Sequence, residues 1–333
     1  MTAISPDAKT IADEEKANNA ERVAVVIATH KYCYPLEQCI SSHLKLLKSD
    51  ADLIFVDNGS GGEMTRWARE RFPDITVVTR DINGFFCGGY NSGMQYAIEQ
   101  NYDFVLIVNA DTSVLNSGYI ASLVGAARNH EKAAFLGPTV FLREDGNIQN
   151  TILRYPWFGR YLRQWLTSPF GTGNRSANAT DITPVDFLNG VCVLCRIEAL
   201  KEVGLLDEDM GGYVEDTDWS WRARQKGWNS LYVPVPSIIH HQPVDEYEHH
   251  SVKSFMLRRN HVYWHMKAGQ KRQAWLFAVF SLMLARIRAA KAIVQRRDAH
   301  QHRRYVARFK DVVKRILSNE PIGEWFGPPA GQL

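Results

Sequence analysis

Residues 22–130 alternate short, almost wholly apolar segments with segments of helical periodicity. The predicted strands are 23–28, 52–56, 75–79 and 104–108, and the predicted helices are 35–47, 62–72, 88–100 and 117–128. Strands that alternate with helices of this length form βαβ units. Nearly continuous apolar strands are typical of parallel sheets, which are covered on both faces. The pattern therefore predicts an α/β fold, a Rossmann-like, mostly parallel sheet flanked by helices.

The regular alternation stops at about residue 142. Residues 144–183 are rich in Gly, Asn, Thr and aromatic side chains, which predicts a long excursion from the sheet. Further strands are predicted at 185–188, 191–196, 230–233 and 237–239, with helices at 198–203 and 216–226. We predict a polar tail (1–21), an α/β domain (22–250, with halves 22–142 and 143–250) and a helical basic segment (251–333).

Composition narrows the class of protein. The chain has 333 residues, 45% hydrophobic and 23% charged, which excludes a mainly disordered protein. Its net charge of +3 is uneven, because 17 of the 39 Lys and Arg residues lie in 253–317 beside only Asp298 and Asp311. A basic segment on an acidic body predicts an anionic partner, either membrane headgroups or nucleic acid.

The five cysteines do not indicate a disulfide framework, since their number is odd. Cys192 and Cys195 form a C-x-x-C within a predicted strand, where their side chains point to opposite faces. We interpret them as buried thiols and not as a zinc site. The first 22 residues are polar, without a signal-peptide pattern, so we expect a cytoplasmic location.

Polar residues follow the predicted parallel strands, where open α/β sheets bind ligands. These residues are Thr29, Asp57, Asn109 and Asp111. Each aspartate alone is commonly a turn residue or helix cap. Together, at one sheet edge, they predict a ligand site.

A glycine-rich stretch from Asn83 to Gly93 leads into a predicted helix, whose N–H groups can meet phosphate or sugar hydroxyls. The first strand is not followed by G-x-G-x-x-G, and the chain has no P-loop motif, which disfavours a dinucleotide site and a P-loop NTPase.

Two further clusters carry titratable groups. Glu215, Asp216 and Asp218 open a predicted helix, which suits the helix dipole but exceeds what a cap needs. Crowded carboxylates have a raised proton affinity, as a general base requires. His240 and His241 end a predicted strand, and an imidazole near Asp111 can complete a site for Mg²⁺ or Mn²⁺.

Taken in order, these motifs resemble the inverting family 2 glycosyltransferases of the GT-A fold, and in particular bacterial rhamnosyltransferase-like enzymes of cell-surface polysaccharide synthesis. The resemblance covers about residues 22–265. Its elements are Val25-Val-Ile-Ala-Thr-His30, Val56-Asp-Asn-Gly-Ser60, Asn83-Gly-Phe with Gly89-Tyr-Asn-Ser-Gly93, Asn109-Ala-Asp111, Phe187-Leu-Asn-Gly-Val191, Val203-Gly-Leu-Leu-Asp207, Glu215-Asp-Thr-Asp218 and Tyr232-Val-Pro with His240-His241.

The resemblance implies a role for individual residues. Asp57 would bind the nucleotide base, and Asp216 would be the catalytic base. Asp111 and His240 would bind Mg²⁺ or Mn²⁺ at the diphosphate, with His241 as the competitor of His240. The remaining donor contacts would come from Thr29, Asn83, Gly84, Asn91 and Asn109, and acceptor contacts from Glu215, Asp218 and Trp219.

The resemblance also implies the substrates. The donor would be a nucleoside-diphosphate sugar linked to dTDP or UDP, and we predict dTDP-L-rhamnose, with UDP-galactofuranose and other UDP- or GDP-sugars left open. The acceptor would be a glycan or a polyprenyl-diphosphate-linked glycan. A sugar nucleotidyltransferase is disfavoured, since 29–34 lacks the glycine-rich basic loop of that class.

The basic segment contains an apolar run, 275–285, flanked by Lys271, Arg272, Arg286 and Arg288. Eleven apolar residues are too few to span a bilayer, but such a helix can lie in the membrane interface. A core or homodimer-interface helix is the equal alternative. A protein that only binds anionic membranes or nucleic acid is the rival function, although no nucleic-acid-binding module is recognisable and we predict no nucleic-acid partner. We expect an enzyme peripheral at the inner face of the membrane.

Overall fold

The computed structural model describes residues 21–46, 51–142, 146–167, 176–241, 249–294 and 299–320. Within these residues a ten-stranded sheet has the main order β3-β2-β1-β4-β11-β6-β12-β5, with β7 beside β6 and β9 beside β12. Its strands are β1 (Val23–Thr29), β2 (Ala51–Asn58), β3 (Thr76–Arg80), β4 (Phe104–Val108), β5 (Thr112–Val114), β6 (Ala133–Leu142), β7 (Asn147–Ile148), β9 (Thr183–Val185), β11 (Cys192–Arg196) and β12 (Asn229–His240). Strands β8 (Ile152–Leu153) and β10 (Phe187–Leu188) form a separate antiparallel pair.

The strands that end in predicted site residues all end at the same edge of the sheet. Strands β1 to β4 are mutually parallel along the order β3-β2-β1-β4. Strand β11 runs antiparallel to both β4 and β6, which makes β6 parallel to β4, and β12 is parallel to β6. The carboxyl ends of β1, β2, β4, β6 and β12 therefore meet at one edge.

Ten α-helices are formed by the described residues. They are α1 (Leu36–Leu44), α2 (Glu63–Arg71), α3 (Phe85–Glu99), α4 (Tyr119–Asn129), α5 (Phe158–Thr167), α6 (Ile197–Val203), α7 (Glu215–Gln225), α8 (His249–Lys267), α9 (Lys271–Val294) and α10 (Ala299–Leu317). Two hydrophobic clusters cover the two faces of the sheet. Cys192 belongs to one and Cys195 to the other, as their odd spacing predicts, and all five cysteines are free.

Several elements differ from the sequence patterns. Strand β12 is one strand and not two, because it continues through register shifts at Pro236 where the pattern is interrupted. Strands β5 and β6 were not predicted. Residues 144–183 contain α5 and short strands, and α3 begins at Phe85, before the predicted start at 88.

The C-terminal helices pack against each other and against the α/β body. Phe255, Phe277 and Phe309 are fully buried between α8, α9 and α10. Trp264 of α8 lies in the core cluster of the α/β body, which fixes the helices to it. By length and composition, one segment of α9, Lys271–Lys291, is able to cross a membrane, and a third of its most apolar window is buried.

Helix α3 approaches the sheet so closely that it needs glycine at residue 93. A Cβ on Gly93 would stand 2.3 Å from Cγ1 of Val26 and 3.1 Å from Cγ2 of Val56. Both valines are fully buried, so they cannot move aside. This contact sets the distance between α3 and the strands β1 and β2, whose ends carry predicted site residues.

We expect Gly93→Ala to lower the free energy of unfolding by about 1–3 kcal/mol, the usual cost of overpacking. The matched control is Gly125→Ala in α4, where a Cβ would meet nothing within 4 Å. That change should stabilise the protein by up to about 1 kcal/mol, because alanine has the higher helix propensity. Denaturant unfolding monitored by circular dichroism measures both, and equal effects of the two changes would contradict this packing.

Candidate active site

The first part of the site is a carboxylate–imidazole pair at the sheet edge. Strand β5 pairs with the end of β12, with Thr112 opposite His240. This pairing places Oδ1 of Asp111 3.2 Å from Nε2 of His240. Both residues were predicted from sequence as metal ligands, and the structure brings them together although 128 residues separate them.

The environment of His240 prepares Nε2 to bind a cation. The imidazole is buried, with 6% exposure, and its Nδ1 lies 2.8 Å from Oε1 of Gln149. Because an amide oxygen only accepts, Nδ1 carries the proton and Nε2 presents a lone pair towards Asp111. In this neutral tautomer a divalent cation can bridge Nε2 and the carboxylate oxygen 3.2 Å away, so the donor set fits Mg²⁺ or Mn²⁺. Gln149 was not predicted, since nothing in its local sequence marks it.

Two further observations concern how this pair could hold a metal ion. Within the described residues, no set of three or more His, Cys, Asp or Glu side chains is arranged to hold a metal ion. A metal held here would take its other ligands from water and substrate oxygens, as Mg²⁺ commonly does. The competitor His241 is oriented differently, because its Nε2 lies 2.8 Å from Oγ of Ser113. The geometry therefore favours His240 as the ligand.

The turn that carries Asn109 and Asp111 is held from beneath. Oγ1 of Thr112 donates to the carbonyl of Asn109 at 2.8 Å, and the thiol of Cys39 lies 3.5 Å from the same oxygen. The amide of Asn109 donates to the carbonyl of Val191 at 2.9 Å. These contacts fix the backbone and leave the Asn109 side chain partly exposed at the edge.

Thr29 and Asp57 lie side by side at the same edge, in register between β1 and β2. Oγ1 of Thr29 donates to the carbonyl of Lys31, and Asp57 accepts hydrogen bonds from Ser60 and Thr65. Burial raises the pKa of Asp57, but those hydrogen bonds outweigh it and hold the pKa below its usual value. Asp57 is 1% exposed and shapes the turn into α2, so its contact with a nucleotide base stays a prediction.

The glycine-rich stretch is fixed by an asparagine that the sequence patterns did not single out. The side chain of Asn58 donates to the carbonyl of Phe85 and to Oδ1 of Asn83, and accepts from the amide of Gly84. These bonds hold Phe85 at a φ of 52°, where a non-glycine residue needs support. Asn83 and Gly84 therefore shape the start of α3.

Asn91 and the predicted acceptor residues Asp218 and Trp219 have structural partners. Asn91 is buried and exchanges hydrogen bonds with the backbone of Leu206. Asp218 is 1% exposed and paired with Arg222 and Lys267. Trp219 is 4% exposed and its indole N–H donates to the carbonyl of Gly204. In this structure none of the three presents a free polar group to a substrate, so they support the site from behind.

The second part of the site is the carboxylate pair that opens α7. Glu215 is 7% exposed, and its Oε2 has no hydrogen-bond partner among the described residues. Burial and the neighbouring Asp216 raise the pKa of Glu215 well above its usual value, which favours its neutral form. Its burial also keeps it from the acceptor position predicted for it, since the side chain points inwards.

Asp216 differs from Glu215 because its charged form has hydrogen-bond donors. Burial raises the pKa of Asp216 to about 6, while hydrogen bonds from the amide and hydroxyl of Thr217 favour the charged form. Asp216 is also the more exposed of the two. Two neighbouring carboxyls with separated pKa values divide into an acid and a base. Burial therefore favours the neutral form of Glu215, whereas Asp216, with a pKa of about 6, is mainly ionised at pH 7, the state in which a carboxylate can accept a proton.

Helix α8 holds the strained loop that precedes this pair. Tyr213 and Val214 have φ values of 66° and 74°, which cost backbone energy. The side-chain nitrogen Nδ2 of Asn260 lies within 2.9 Å of the carbonyl oxygens of Met210, Gly212 and Tyr213. Arg259, 1% exposed, donates to the carbonyls of Asp209 and Met210. The C-terminal helices thus position the carboxylate pair.

The two parts of the site lie at the same end of the sheet. Val191, which accepts from Asn109, immediately precedes β11, whose first residue pairs with Val108 at the end of β4. A Cβ on the adjacent Gly190 would lie 4.0 Å from Oε1 of Glu215. A short chain of contacts therefore connects the turn that carries Asp111 with the carboxylates of Glu215 and Asp216.

Comparison with known proteins decides the family. Residues 20–266 match the family described as glycosyltransferase like family 2. The chain belongs to this family. It is 27% identical over 237 residues to the N-acetylglucosaminyl-diphospho-decaprenol L-rhamnosyltransferase of Mycobacterium tuberculosis, covering 66% of this chain and 75% of that protein. It is 25% identical over 222 residues to a low-salt glycan biosynthesis hexosyltransferase of Haloferax volcanii, covering 64% and 66%.

The fold of this family 2 glycosyltransferase also has a solved counterpart. The crystal structure of GalNAc-T7 with UDP, GalNAc and Mn²⁺ superposes with a TM-score of 0.53 at 16% identity. The superposition covers 74% of this chain but only about half, 48%, of that one. The predicted GT-A fold, a mostly parallel sheet flanked by helices, is confirmed.

Replacing Asp216 by asparagine should stabilise the folded state of this glycosyltransferase. The folded-state pKa of Asp216, about 6, exceeds the usual value, so ionisation costs stability as the pH rises from about 4 to 6. Asp216→Asn removes that cost and should raise the free energy of unfolding at pH 8 by on the order of 1–3 kcal/mol. The gain should vanish below pH 4.

Thermal unfolding at pH 4, 6 and 8 measures this effect. Asp74→Asn, a change at an exposed carboxylate, is the control and should shift the midpoint little at any pH. A lower midpoint for Asp216→Asn at pH 8 would contradict the burial of a charge at this position.

Proposed function

We propose that this enzyme is a metal-dependent inverting glycosyltransferase that moves a sugar from a nucleoside diphosphate, dTDP-L-rhamnose in our proposal, to a glycan or polyprenyl-diphosphate-linked acceptor. The observation that carries the proposal is the pairing of Asp111 with the oriented imidazole of His240, at the end of the sheet where the partly buried carboxylate of Asp216 also lies. The rhamnosyltransferase relative supports the choice of sugar and of a lipid-linked acceptor. UDP-galactofuranose and other UDP- or GDP-sugars are the alternatives.

Asp111 and His240 would hold the metal, and Gln149 would keep the imidazole in the tautomer that binds it. When bound, Mg²⁺ or Mn²⁺ supplies positive charge that neutralises the departing diphosphate. Asn109 lies on the same turn, and its partly exposed side chain would contact the donor. The proposal places the diphosphate at the carboxyl ends of β4 and β12.

Asp216 would act as the base on the acceptor. Its carboxylate takes the proton of the acceptor hydroxyl, whose oxygen forms the new bond to the anomeric carbon. The bond between that carbon and the diphosphate breaks on the opposite face, which inverts the centre and releases the nucleoside diphosphate. Burial raises the pKa of Glu215 and so disfavours a second negative charge beside the base. Asn260 and Arg259 fix the loop, so that the base is positioned before the acceptor arrives.

We expect nucleotide binding to depend on Asp111 and His240, the proposed metal ligands. At a concentration about 100 times the dissociation constant, the correct nucleotide should stabilise the fold by ~2.7 kcal/mol and raise the thermal midpoint by roughly 2–4 °C. The measurement compares dTDP, UDP and GDP, each with and without Mn²⁺ or Mg²⁺. Asp111→Ala and His240→Ala should abolish the metal-dependent part of the shift.

His241→Ala is the matched control, because it removes a neighbouring imidazole that is oriented towards Ser113. It should keep the shift. If His241→Ala loses the metal-dependent shift of the thermal midpoint and His240→Ala keeps it, His241 is the metal ligand. If the folded protein shows no shift with any nucleotide, the proposed donor site is refuted.

The rate should depend on the ionisation of Asp216. Because its pKa is about 6, turnover should be maximal above pH 7 and fall towards lower pH with a midpoint near 6. Release of nucleoside diphosphate, measured with the donor that thermal unfolding identifies, gives the profile. Asp216→Asn should lower the rate by roughly 10²–10⁴-fold. A wild-type rate that stays constant down to pH 4.5 would exclude a base with this pKa.

A further inference from the structure

Helix α9 is apolar on its outer face as well as on its inner face. Ala274, Phe277 and Ala278 are buried against α8 and α10. On the other side Trp275, Val279, Met283 and Ile287 are 57%, 45%, 45% and 54% exposed. Their spacing of four residues aligns them in one stripe along the helix. A surface helix of a soluble protein normally has polar residues there.

Helix α5 extends this apolar surface. Its Trp165 and Leu166 are 46% and 65% exposed, and the Trp165 ring packs edge-on against Phe280 of α9 at 5.4 Å. Helices α5 and α9 comprise about a tenth of the chain but carry seven of the thirteen exposed large hydrophobic residues of the described structure. We call Trp165, Leu166, Trp275, Val279, Met283 and Ile287 the apolar face.

The charged residues of the two helices that carry the apolar face have one sign. Helices α5 and α9 contain seven Lys and Arg residues and no Asp or Glu. Arg272 precedes Trp275 by three residues, Arg286 follows Met283 by three, and Lys291 follows Ile287 by four, so cations lie at both ends of the stripe. All three are exposed. An apolar strip with cationic ends matches an anionic bilayer, whose headgroups surround an apolar interior.

We propose that the apolar face docks this enzyme onto an anionic phospholipid bilayer, with α9 lying in the interface and the flanking Arg and Lys residues on the headgroups. This inference goes beyond glycosyl transfer and does not depend on the identity of the donor. Helix α8 connects the two functions, since it holds the loop before Asp216 through Asn260 and packs on α9 through His261 and Phe277. Docking therefore places the site one helix layer from the membrane surface.

The charge pattern distinguishes a bilayer from the other occupants. A second copy on the same face would bring two rows of Arg and Lys together without a carboxylate from α5 or α9 to pair them. A transmembrane orientation of α9 would separate Phe277 and Ala278 from the core that they share with α8 and α10. Lying flat keeps the inner face packed and buries only the outer stripe.

The experiment is co-sedimentation of the full chain with phosphatidylcholine vesicles, with and without phosphatidylserine. We expect binding to vesicles that contain phosphatidylserine, weaker binding at high salt, and release by alkaline carbonate. Trp275→Ser with Met283→Ser should weaken binding about tenfold or more, because the variant lacks two apolar side chains that the bilayer would bury. Arg286→Gln with Arg288→Gln should also weaken it on the order of tenfold.

The matched control variants remove the same kinds of side chain elsewhere on the surface. Tyr34→Ser with Leu115→Ser removes two exposed apolar side chains, and Arg66→Gln with Arg69→Gln removes two exposed charges of α2. Both controls should bind vesicles like the wild type. All the changed side chains are largely exposed, so unchanged thermal midpoints in buffer will show that the variants fold.

Three results would overturn the proposal. The first is equal binding by the apolar-face variants and the wild type, or no vesicle binding by the wild type. The second is a dimer of the wild type, detected by sedimentation velocity, together with no binding to vesicles. If Trp275→Ser with Met283→Ser dissociates that dimer, the apolar face belongs to a second copy of the chain. The third is retention in the membrane after carbonate treatment, which would indicate an inserted helix.

Discussion

Backbone hydrogen bonding across the central sheet is the constraint on which the site depends. Strand β11 runs antiparallel between β4 and β6, so β6 and its neighbour β12 return to the direction of β4. Every strand that ends in a predicted site residue then ends at one edge. The short strand β5 completes the arrangement, because its pairing with β12 brings Asp111 to His240. Parallel sheets of other families use the same edge for ligands.

Chemistry at this edge requires groups that the fold would otherwise avoid. Oε2 of Glu215 is buried without a hydrogen-bond partner among the described residues, and burial raises the pKa of the neighbouring Asp216 to about 6. The loop before them holds Tyr213 and Val214 at positive φ. Asn260 and Arg259 offset part of this cost through hydrogen bonds to the loop carbonyls. The basic C-terminal helices are thus a structural part of the site as well as a surface with its own chemistry.

Helix α9 shows why composition and burial have to be considered together. Its length and hydropathy satisfy the requirements of a membrane span. Yet one face is buried between α8 and α10, and only the other is exposed. The sequence pattern left a membrane-surface helix and a core helix as equal alternatives. In the structure the inner face of α9 is part of a core, and the outer face is the surface for which we propose membrane contact.

Local periodicity was sufficient to predict β1 to β4, the helices between them and the edge at which Thr29, Asp57, Asn109 and Asp111 lie, because these features depend on neighbours in the chain. The ordered motifs were sufficient to indicate the GT-A fold. The contacts of side chains were not predictable in this way. The contacts of Gln149 with His240, of Asn91 with Leu206 and of Lys267 with Asp218 join residues that are distant in sequence. Which polar group faces a ligand and which supports the backbone depends on three-dimensional packing and burial, and these exist only once the chain has folded.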